Sequence, residues 1–309
     1  MRRIVVTAPF LLRRNESWNE GYELIPAERV GELPLSDRAA IEVIVTNGDM
    51  WDSTLLNLLP NVRLVACFST GYSSIDLAQL RARGIALTTA AGVNAHDVAD
   101  HAIALLLAWW HQIPQLDEAV RGGVWHPKLT PRHSLRGKRA GIVGLGRVGL
   151  LIAERAEALG LEVSWWGPRI KPAARFSRAS SLHALAENSD ILIVAMRSSA
   201  LNAGLIDHGI LMALGKDGVL INVSRGMVLD EAALLRVLQA GDIAGAALDV
   251  FTQEPPDPQK WRSLRNVVLT PHVAGFTQEA GQSMFGQLRE NLRRHYSGAA
   301  LLTPVGDLE

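Results

Sequence analysis

The chain has 309 residues, of which 48% are hydrophobic and 20% are charged, a composition typical of a folded protein of about two domains. Its 31 basic residues balance 31 acidic ones, and this neutrality argues against nucleic acid or an anionic membrane as a partner. Cys67 is the only cysteine, which excludes an intrachain disulfide and a thiolate metal site. We therefore expect no metal and predict a location in the reducing cytoplasm.

The first part of the chain alternates between strand-like and helix-like runs. Strands are predicted at residues 3–7, 41–46, 62–67 and 85–89, and helices at 52–59 and 74–84. The run 3–7 is interpreted as a strand and not as a signal peptide, because Pro9 and Arg13 interrupt the apolar stretch. The most apolar helix, 98–110, carries Asp100 and His101 and is too short to span a bilayer, so we predict that it is buried.

A second series of strands begins at residues 140–143 and continues at 161–166, 190–195, 218–223, 244–250 and 266–270. Helices are predicted between them at 181–188, 208–214 and 230–240, and a long final helix at 277–298. This alternation of apolar strands with helices indicates parallel sheets covered by helices on both faces.

A glycine-rich motif, "GLGRVG", directly follows the strand at 140–143 and opens a helix. Gly144 allows a tight turn, Gly146 lets the backbone approach a pyrophosphate, and Gly149 lets the helix pack on the strand. The amino end of the helix offers unpaired N–H groups to phosphates. The motif therefore predicts a dinucleotide site. No G-x-x-x-x-G-K-[ST] segment is present, which argues against a nucleoside triphosphatase.

Four motifs occur in an order that resembles the D-isomer-specific 2-hydroxyacid dehydrogenases, most of all their short glyoxylate/hydroxypyruvate reductases. They are "GIVGLGRVG", "VLINVSRGMVLDEAAL", "GAALDVFTQEPP" and "LTPHVAG". The resemblance implies an α/β fold of two doubly wound parallel-sheet domains. A Rossmann dinucleotide-binding domain, 94–274, is inserted into a flavodoxin-like substrate-binding domain, 1–93 plus 275–309.

The resemblance implies a catalytic role for three residues. Arg225 holds the carboxylate and carbonyl oxygen of a 2-oxo acid, for which a planar guanidinium is suited. His272 gives a proton to the keto oxygen as hydride arrives, and takes it back in reverse. Glu254 orients the imidazole and favours its charged form. Formate dehydrogenases of the same superfamily carry glutamine there, so Glu254 argues for chemistry with proton transfer.

Further positions match binding segments of the family. Ser69, Thr70 and Gly71 match a loop whose N–H groups grip the substrate carboxylate, and Asp249 matches an aspartate beside the nicotinamide carboxamide. Trp125 matches an aromatic residue directed toward a neighbouring subunit, although a core tryptophan is an equal alternative; the family is usually dimeric, and we expect a homodimer. The resemblance also implies cofactor contacts from His272 and from Gly144, Leu145, Gly146, Arg147, Val148, Gly149, Ser199, Val223, Arg225 and Gly275.

The end of the second strand of the dinucleotide unit predicts NADP(H) in preference to NAD(H). An NAD site places an acid about 20 residues past the glycine loop, but the segment 165–172, "WWGPRIKP", has none. Arg169 and Lys171 stand there instead and can meet a 2′-phosphate, and Arg197 could add to that pocket. Solvated loop charges are the alternative.

The pattern departs from the family in two places. These departures bear on which substrate is used and not on the class of reaction. Arg197 and Ser199 replace a proline and a threonine, and Ala274, Gly275 and Gly281 replace a Gly-Ser pair and an arginine. We predict an NADP-linked reductase of a small 2-oxo acid, glyoxylate or hydroxypyruvate. Two alternatives stay open: another dehydrogenase on this frame, such as one for phosphite, or a cofactor-sensing scaffold like the related corepressors. The neutral charge favours the enzyme, and the absence of a further regulatory domain argues against the long phosphoglycerate enzymes.

Overall fold

The computed structural model of the protein describes residues 1–12, 17–125 and 133–306. The chain forms two compact units, one made of Met1–Asn94 with Thr277–Glu309 and the other of Ala95–Phe276. Each unit is built around a parallel sheet. Among the described helices, none combines the length and apolarity needed to cross a bilayer.

The first unit contains a five-stranded sheet in the order β2-β1-β3-β4-β5, with every neighbouring pair parallel. Its strands are β1 Arg2–Val6, β2 Tyr22–Pro26, β3 Val43–Thr46, β4 Leu64–Cys67 and β5 Ala86–Thr88. Its α-helices are α1 Leu35–Ala39, α2 Leu55–Leu58, α3 Leu77–Ala82 and, after the second unit, α11 Gln278–Ser297. Short 3-10 helices lie at Pro9–Leu12, Ser17–Asn19, Ala27–Glu32 and Gly48–Met50.

Burial explains why the middle strands of this sheet are apolar along their whole length. All residues of β3 and β4 are buried, as expected for a parallel sheet that is covered on both faces. The closing helix α11 is capped by Thr277, whose hydroxyl accepts the Ala280 N–H at 3.1 Å. Leu288 and Leu292 of this helix pack into the cluster that covers one face of the sheet.

The second unit contains a seven-stranded parallel sheet in the order β12-β11-β10-β9-β6-β7-β8. Its strands are β6 Arg139–Val143, β7 Glu162–Trp166, β8 Ser177–Arg178, β9 Ile191–Val194, β10 Val219–Asn222, β11 Gly245–Leu248 and β12 Val267–Leu269. Its α-helices are α4 Ala95–Trp110, α5 Ile113–Arg121, α6 Arg147–Ala158, α7 Leu182–Glu187, α8 His208–Leu214, α9 Glu231–Ala240 and α10 Pro258–Trp261. Two 3-10 helices lie at Ala200–Asn202 and Gly226–Val228.

The strand order of the second unit determines where a ligand can bind. The chain goes outward from β6 to β7 on one side and from β9 to β12 on the other. A crevice therefore opens at the carboxyl ends of β6 and β9, where doubly wound sheets bind their ligands. The two sheet orders confirm the predicted fold class, because they are those of a Rossmann sheet and of a flavodoxin-like sheet.

The elements that were not predicted from the sequence include β2, β8 and α5. Strand β2 lies at the edge of the first sheet and has one buried residue, Ile25, so its apolar pattern is weak. Strand β8 has two residues, both exposed. Helix α5 has no buried residue and begins after Gln112, which adopts a left-handed φ of 51°. These elements have little apolar signal because they cover little of the core.

Candidate active site

The loop between β6 and α6 has the shape that a dinucleotide requires. Gly144 has a φ of +96°, and a side chain there would meet Met196 at 2.6 Å. A Cβ on Gly149 would lie 1.8 Å from the Gly144 carbonyl oxygen, whereas one on Gly146 would meet nothing within 4 Å. Gly146 precedes α6 without a side-chain cap. Two glycines therefore close the loop against the helix, and the third leaves the amino end of the helix open to a phosphate.

The loop after β7 carries the two basic residues predicted to recognise NADP. Arg169 and Lys171 are exposed, and the Lys171 ammonium donates a hydrogen bond to the Leu145 carbonyl in the glycine-rich loop. Arg178 of β8 was not predicted here. Its guanidinium donates to the Gly167 carbonyl at 2.8 Å and lies over the Trp165 ring. The start of this loop is therefore flanked by a further cation.

Arg225 stands in a turn at the carboxyl end of β10. Its Nη1 donates to the Ser224 carbonyl at 2.8 Å, and the buried side chain of Asn222 accepts both the N–H and the hydroxyl of Ser224. A Cβ on Gly226 would lie 1.9 Å from the backbone of Phe251. This close approach joins the arginine turn to the segment that carries Glu254.

The predicted pair of His272 and Glu254 is present as a direct hydrogen bond. The His272 Nδ1 lies 2.6 Å from the Glu254 Oε2, and both side chains are about one-third exposed. The other carboxylate oxygen accepts the Phe251 N–H at 3.0 Å, which fixes the carboxylate. A carboxylate acceptor requires a proton on Nδ1. The Nε2 atom is thus left to take up or release a proton.

Asp249 holds the backbone around His272. The main-chain carbonyl of Asp249 accepts the His272 N–H at 2.8 Å. Its carboxylate accepts the N–H groups of Val273 and Ala274, each at 2.9 Å. His272 has a left-handed φ of 55°, a conformation that costs a residue other than glycine about 1–2 kcal/mol. Three successive hydrogen bonds to Asp249 stabilise that turn.

Asp249 itself is buried, with 1% of its surface exposed. Burial raises the pKa of its carboxyl, but hydrogen bonds from two side chains and two backbone N–H groups outweigh burial. The net result is a pKa below the ordinary value of 3.8. The carboxylate is therefore ionised and acts only as an acceptor. Thr270, Val273 and Ala274 donate to it directly, and His101, 3.5 Å away, also lowers its pKa.

Three supporting residues were missed at the sequence level. His101 of α4 lies 3.0 Å from the Thr270 hydroxyl through its Nε2, and that hydroxyl donates to Asp249 Oδ1 at 2.6 Å. Glu231, the first residue of α9, accepts the Thr252 N–H at 2.9 Å, which fixes the segment before Glu254. No local pattern marks these contacts, although "VLDEAAL" does place an acid at the start of a helix.

In the first unit, the loop after β4 is braced by Ser69. The Ser69 hydroxyl accepts the Gly48 N–H at 2.9 Å and donates to the Gly71 carbonyl at 2.8 Å. Within the described residues, the N–H groups of Thr70 and Gly71 donate to no group of the chain. The hydroxyl of Ser69 is thus used within the loop, while two N–H groups are available for an anion.

The other predicted contact residues have the following surroundings. Ser199 caps a 3-10 helix, and its own N–H donates to the Asn202 side chain at 2.7 Å. Val223 is buried and Gly275 is half-buried, at the ends of neighbouring segments, while Trp125 is 74% exposed. In the part of the chain that the structure describes, no group of three or more acidic, histidine or cysteine side chains could hold a metal ion.

The second unit therefore brings together a guanidinium, an imidazole and a carboxylate beyond three adjacent strands. Arg225 follows β10, Glu254 follows β11 and His272 follows β12. Because the strands are parallel, all three residues lie at the edge that also carries the glycine-rich loop. The arrangement can hold an oxo-acid anion and exchange one proton beside a bound dinucleotide.

Known proteins share this arrangement of the chain. Residues 103–274 match the family profile described as D-isomer specific 2-hydroxyacid dehydrogenase, NAD binding domain. A glyoxylate/hydroxypyruvate reductase A from Arabidopsis thaliana is 41% identical over 272 residues, which cover 87% of this chain and 86% of that protein. A hydroxyphenylpyruvate reductase from Plectranthus scutellarioides is 42% identical over 270 residues, with 86% of each chain covered.

A solved structure is similar over almost the whole length. It is the NADPH-dependent glyoxylate/hydroxypyruvate reductase from Sinorhizobium meliloti in complex with NADP and malonate. The TM-score is 0.90 at 37% identity, and the alignment covers 99% of this chain and 97% of that one.

Proposed function

Since the chain belongs to the D-isomer specific 2-hydroxyacid dehydrogenase family, we propose that it reduces a small 2-oxo acid, glyoxylate or hydroxypyruvate, to the D-2-hydroxy acid with NADPH. The observation that carries this proposal is the hydrogen bond of 2.6 Å between His272 and Glu254. This pair follows strands β12 and β11, next to the strand that precedes Arg225. The relatives named above support the substrate class.

The residues divide the reaction between them. Arg225 binds the carboxylate and the keto oxygen of the substrate through its guanidinium. When bound, the nicotinamide supplies a hydride, which carbon 2 of the substrate receives. His272 donates the proton from Nε2 to the keto oxygen, which becomes the hydroxyl. Glu254 compensates the positive charge of the imidazolium before this transfer.

The dinucleotide would bind in the crevice at the glycine-rich loop of the second unit. The loop fits such a ligand, because Gly144 and Gly149 leave no room for a side chain and Gly146 leaves the helix end open. Arg169 and Lys171 of the loop after β7 bind the 2′-phosphate of NADP. The contact of Lys171 with Leu145 supports this role, since it brings a cation to the phosphate loop.

Turnover on a panel of substrates tests the reaction. We expect the highest kcat/KM for glyoxylate or hydroxypyruvate, with lower values for phenylpyruvate, hydroxyphenylpyruvate and phosphite. The hydroxyphenylpyruvate reductase among the relatives makes a larger aromatic substrate the second candidate, and a preference for it would change the substrate class. A protein that turns over none of these compounds would instead be a cofactor-binding scaffold.

The cofactor preference needs a separate comparison of NADPH with NADH. We expect wild-type protein to prefer NADPH, and Arg169→Ala and Lys171→Ala to reduce that preference while NADH use changes little. Lys216→Ala is the matched control, because Lys216 is an exposed cation that precedes β10 at the opposite end of the sheet. A wild-type preference for NADH would disprove the assignment of NADP.

We also propose a homodimer that buries the outer face of α5. Ile113, Val120 and Val124 are each about half exposed, and Trp125 is 74% exposed. Ile113 and Val120 are seven positions apart on α5 and therefore lie on one helical face. Val124 and Trp125 follow shortly after the end of the helix, and an exposed apolar patch of this kind is typical of an interface. The location in the cytoplasm stays a prediction that depends on the single cysteine, Cys67, which is buried and unpaired.

A further inference from the structure

A histidine on α4 is connected to the catalytic segment through two side chains. The His101 Nε2 lies 3.0 Å from the Thr270 Oγ1 and 3.5 Å from the Asp249 Oδ1. The Thr270 Oγ1 lies 2.6 Å from the same Asp249 oxygen. The His101 side chain is 23% exposed and the Asp249 side chain 1% exposed. The helix is thus bonded to the ends of β11 and β12 across 169 positions of sequence.

The direction of these hydrogen bonds follows from the number of protons available. Asp249 is ionised, so it can only accept. The Thr270 hydroxyl has a single hydrogen and donates it to Asp249. Its oxygen must therefore accept from His101, which requires a proton on the His101 Nε2. The order is His101 to Thr270 to Asp249, with each group donating to the next.

The hydrogen bonds from His101 through Thr270 to Asp249 end at the turn that carries His272. The Asp249 carboxylate accepts the N–H groups of Val273 and Ala274, immediately after the left-handed His272. Without the N–H group of His101, the Thr270 hydroxyl is no longer held in the orientation in which it donates to Asp249. A carboxylate that loses this fixed donor can rotate, and its hydrogen bonds to the Val273 and Ala274 N–H groups then weaken. His101 is therefore in a position to determine how firmly the turn is held.

We propose that His101 is a positioning residue, which acts through Thr270 and Asp249 to hold the Val273 and Ala274 N–H groups and thereby the imidazole of His272. It touches neither substrate nor cofactor in this role. The effect on turnover rests on the proposed function, whereas the effect on the turn itself does not. A purely structural role, in which His101 only helps α4 to pack on the sheet, predicts different results for the variants below.

The first test measures amide hydrogen exchange at Val273 and Ala274 by NMR, without cofactor. In His101→Leu, we expect both amides to exchange about tenfold faster, the scale of one lost hydrogen bond. His101→Gln keeps an N–H donor at the end of the side chain and should exchange within about threefold of wild type. His96→Leu is the matched control, because His96 is on the same helix and contacts Arg155 instead.

The second test is a double-mutant cycle with Thr270→Val, which removes the hydroxyl and keeps the shape. If His101 acts through Thr270, the double variant should exchange no faster than the more affected of the two single variants. In turnover, kcat of His101→Leu should fall about tenfold. The dissociation constant for NADPH should change less than kcat, and His101→Gln should recover most of the loss.

Three results would overturn the proposal. They are unchanged exchange in His101→Leu, an equal effect in His96→Leu, and additive effects in the double variant. A lower melting temperature with unchanged exchange would assign His101 to packing alone. If wild-type protein reduces no 2-oxo acid, the proposed function fails, but the exchange measurements still decide whether His101 holds the turn.

Discussion

The imidazole of His272 is held by two carboxylates that act on different parts of the residue. Glu254 forms a hydrogen bond with the ring at Nδ1. Asp249 accepts the backbone N–H groups of the two residues that follow His272 in the chain. The ring is thus fixed in rotation and in position, which leaves Nε2 for the proton transfer that we propose. General acid catalysis requires this kind of fixed geometry before any matching of proton affinity.

At this scale, His272→Ala should lower kcat by roughly 10²–10⁴-fold, the usual contribution of a general acid. The affinity for NADPH should remain close to that of wild type, because the glycine-rich loop is unaltered. Steady-state kinetics and a fluorescence titration with NADPH would measure the two quantities. Glu254→Gln should lower kcat less, since it keeps an acceptor and loses only the charge. Unchanged turnover in His272→Ala would remove this residue from the mechanism.

The lowered pKa of Asp249 predicts how acid affects stability. The folded pKa lies below the unfolded value of 3.8. The ionised carboxylate therefore contributes stability that is fully present above about pH 4 and is lost as the pH falls through the folded pKa. We expect the melting temperature of Asp249→Asn to lie below that of wild type by a constant amount between pH 8 and pH 5.

Below about pH 4 that difference in melting temperature should shrink, because protonated Asp249 no longer gains from its donors. Thermal unfolding of both proteins across this range measures it. Asp190→Asn provides a comparison, since Arg139 also lowers the pKa of this more exposed carboxyl. If the difference in melting temperature between wild type and Asp249→Asn grew on acidification, the pKa of Asp249 would not be lowered in the folded protein.

At the scale of elements, the contact between β6 and α6 depends on the absence of a Cβ atom at Gly149. The Gly144 carbonyl would lie 1.8 Å from a Cβ on Gly149. No rotamer can relieve such a contact, because both atoms are fixed by the backbone. The helix would have to move away from the strand, and the glycine-rich loop would lose its shape.

Gly149→Ala should therefore lower the stability of the protein by about 1–3 kcal/mol, the scale of overpacking, and weaken NADPH binding at least tenfold. Gly146→Ala separates the two effects. Its φ is −76° and its Cβ would meet nothing in the chain, so it should weaken binding with little change in stability. Melting temperature and NADPH titration of both variants decide the matter. A fully stable Gly149→Ala would show that the loop tolerates a displacement.

At the scale of the whole molecule, α5 offers the apolar face that we propose for a dimer. We expect Ile113→Arg combined with Val120→Arg to convert a dimer into a monomer, because it places two charges in an apolar contact. Light scattering after size-exclusion chromatography measures the mass directly. Leu35→Arg on α1 is the matched control, since Leu35 is 79% exposed elsewhere. A wild-type monomer at micromolar concentration would contradict the proposal.

The sequence by itself determined the fold class and the segments on which the proposed chemistry depends. Parallel strands that are buried on both faces are apolar along their length, so β3, β4 and β9 were visible as continuous runs. The glycine-rich loop could be recognised because each glycine is required by the local geometry of the turn or of the helix. Arg225, Glu254 and His272 were predicted from motifs whose residues lie within a few positions of one another.

Tertiary structure alone decided which distant side chains support these segments. His101 contacts Thr270 across 169 positions, and Glu231 contacts the Thr252 N–H across 21. Arg178 reaches Gly167 from a strand of two exposed residues, which has no apolar pattern. Local patterns report burial and backbone conformation, since these depend on neighbours in sequence. Contacts such as that of His101 depend on the packing of a helix on a sheet, which no local pattern encodes.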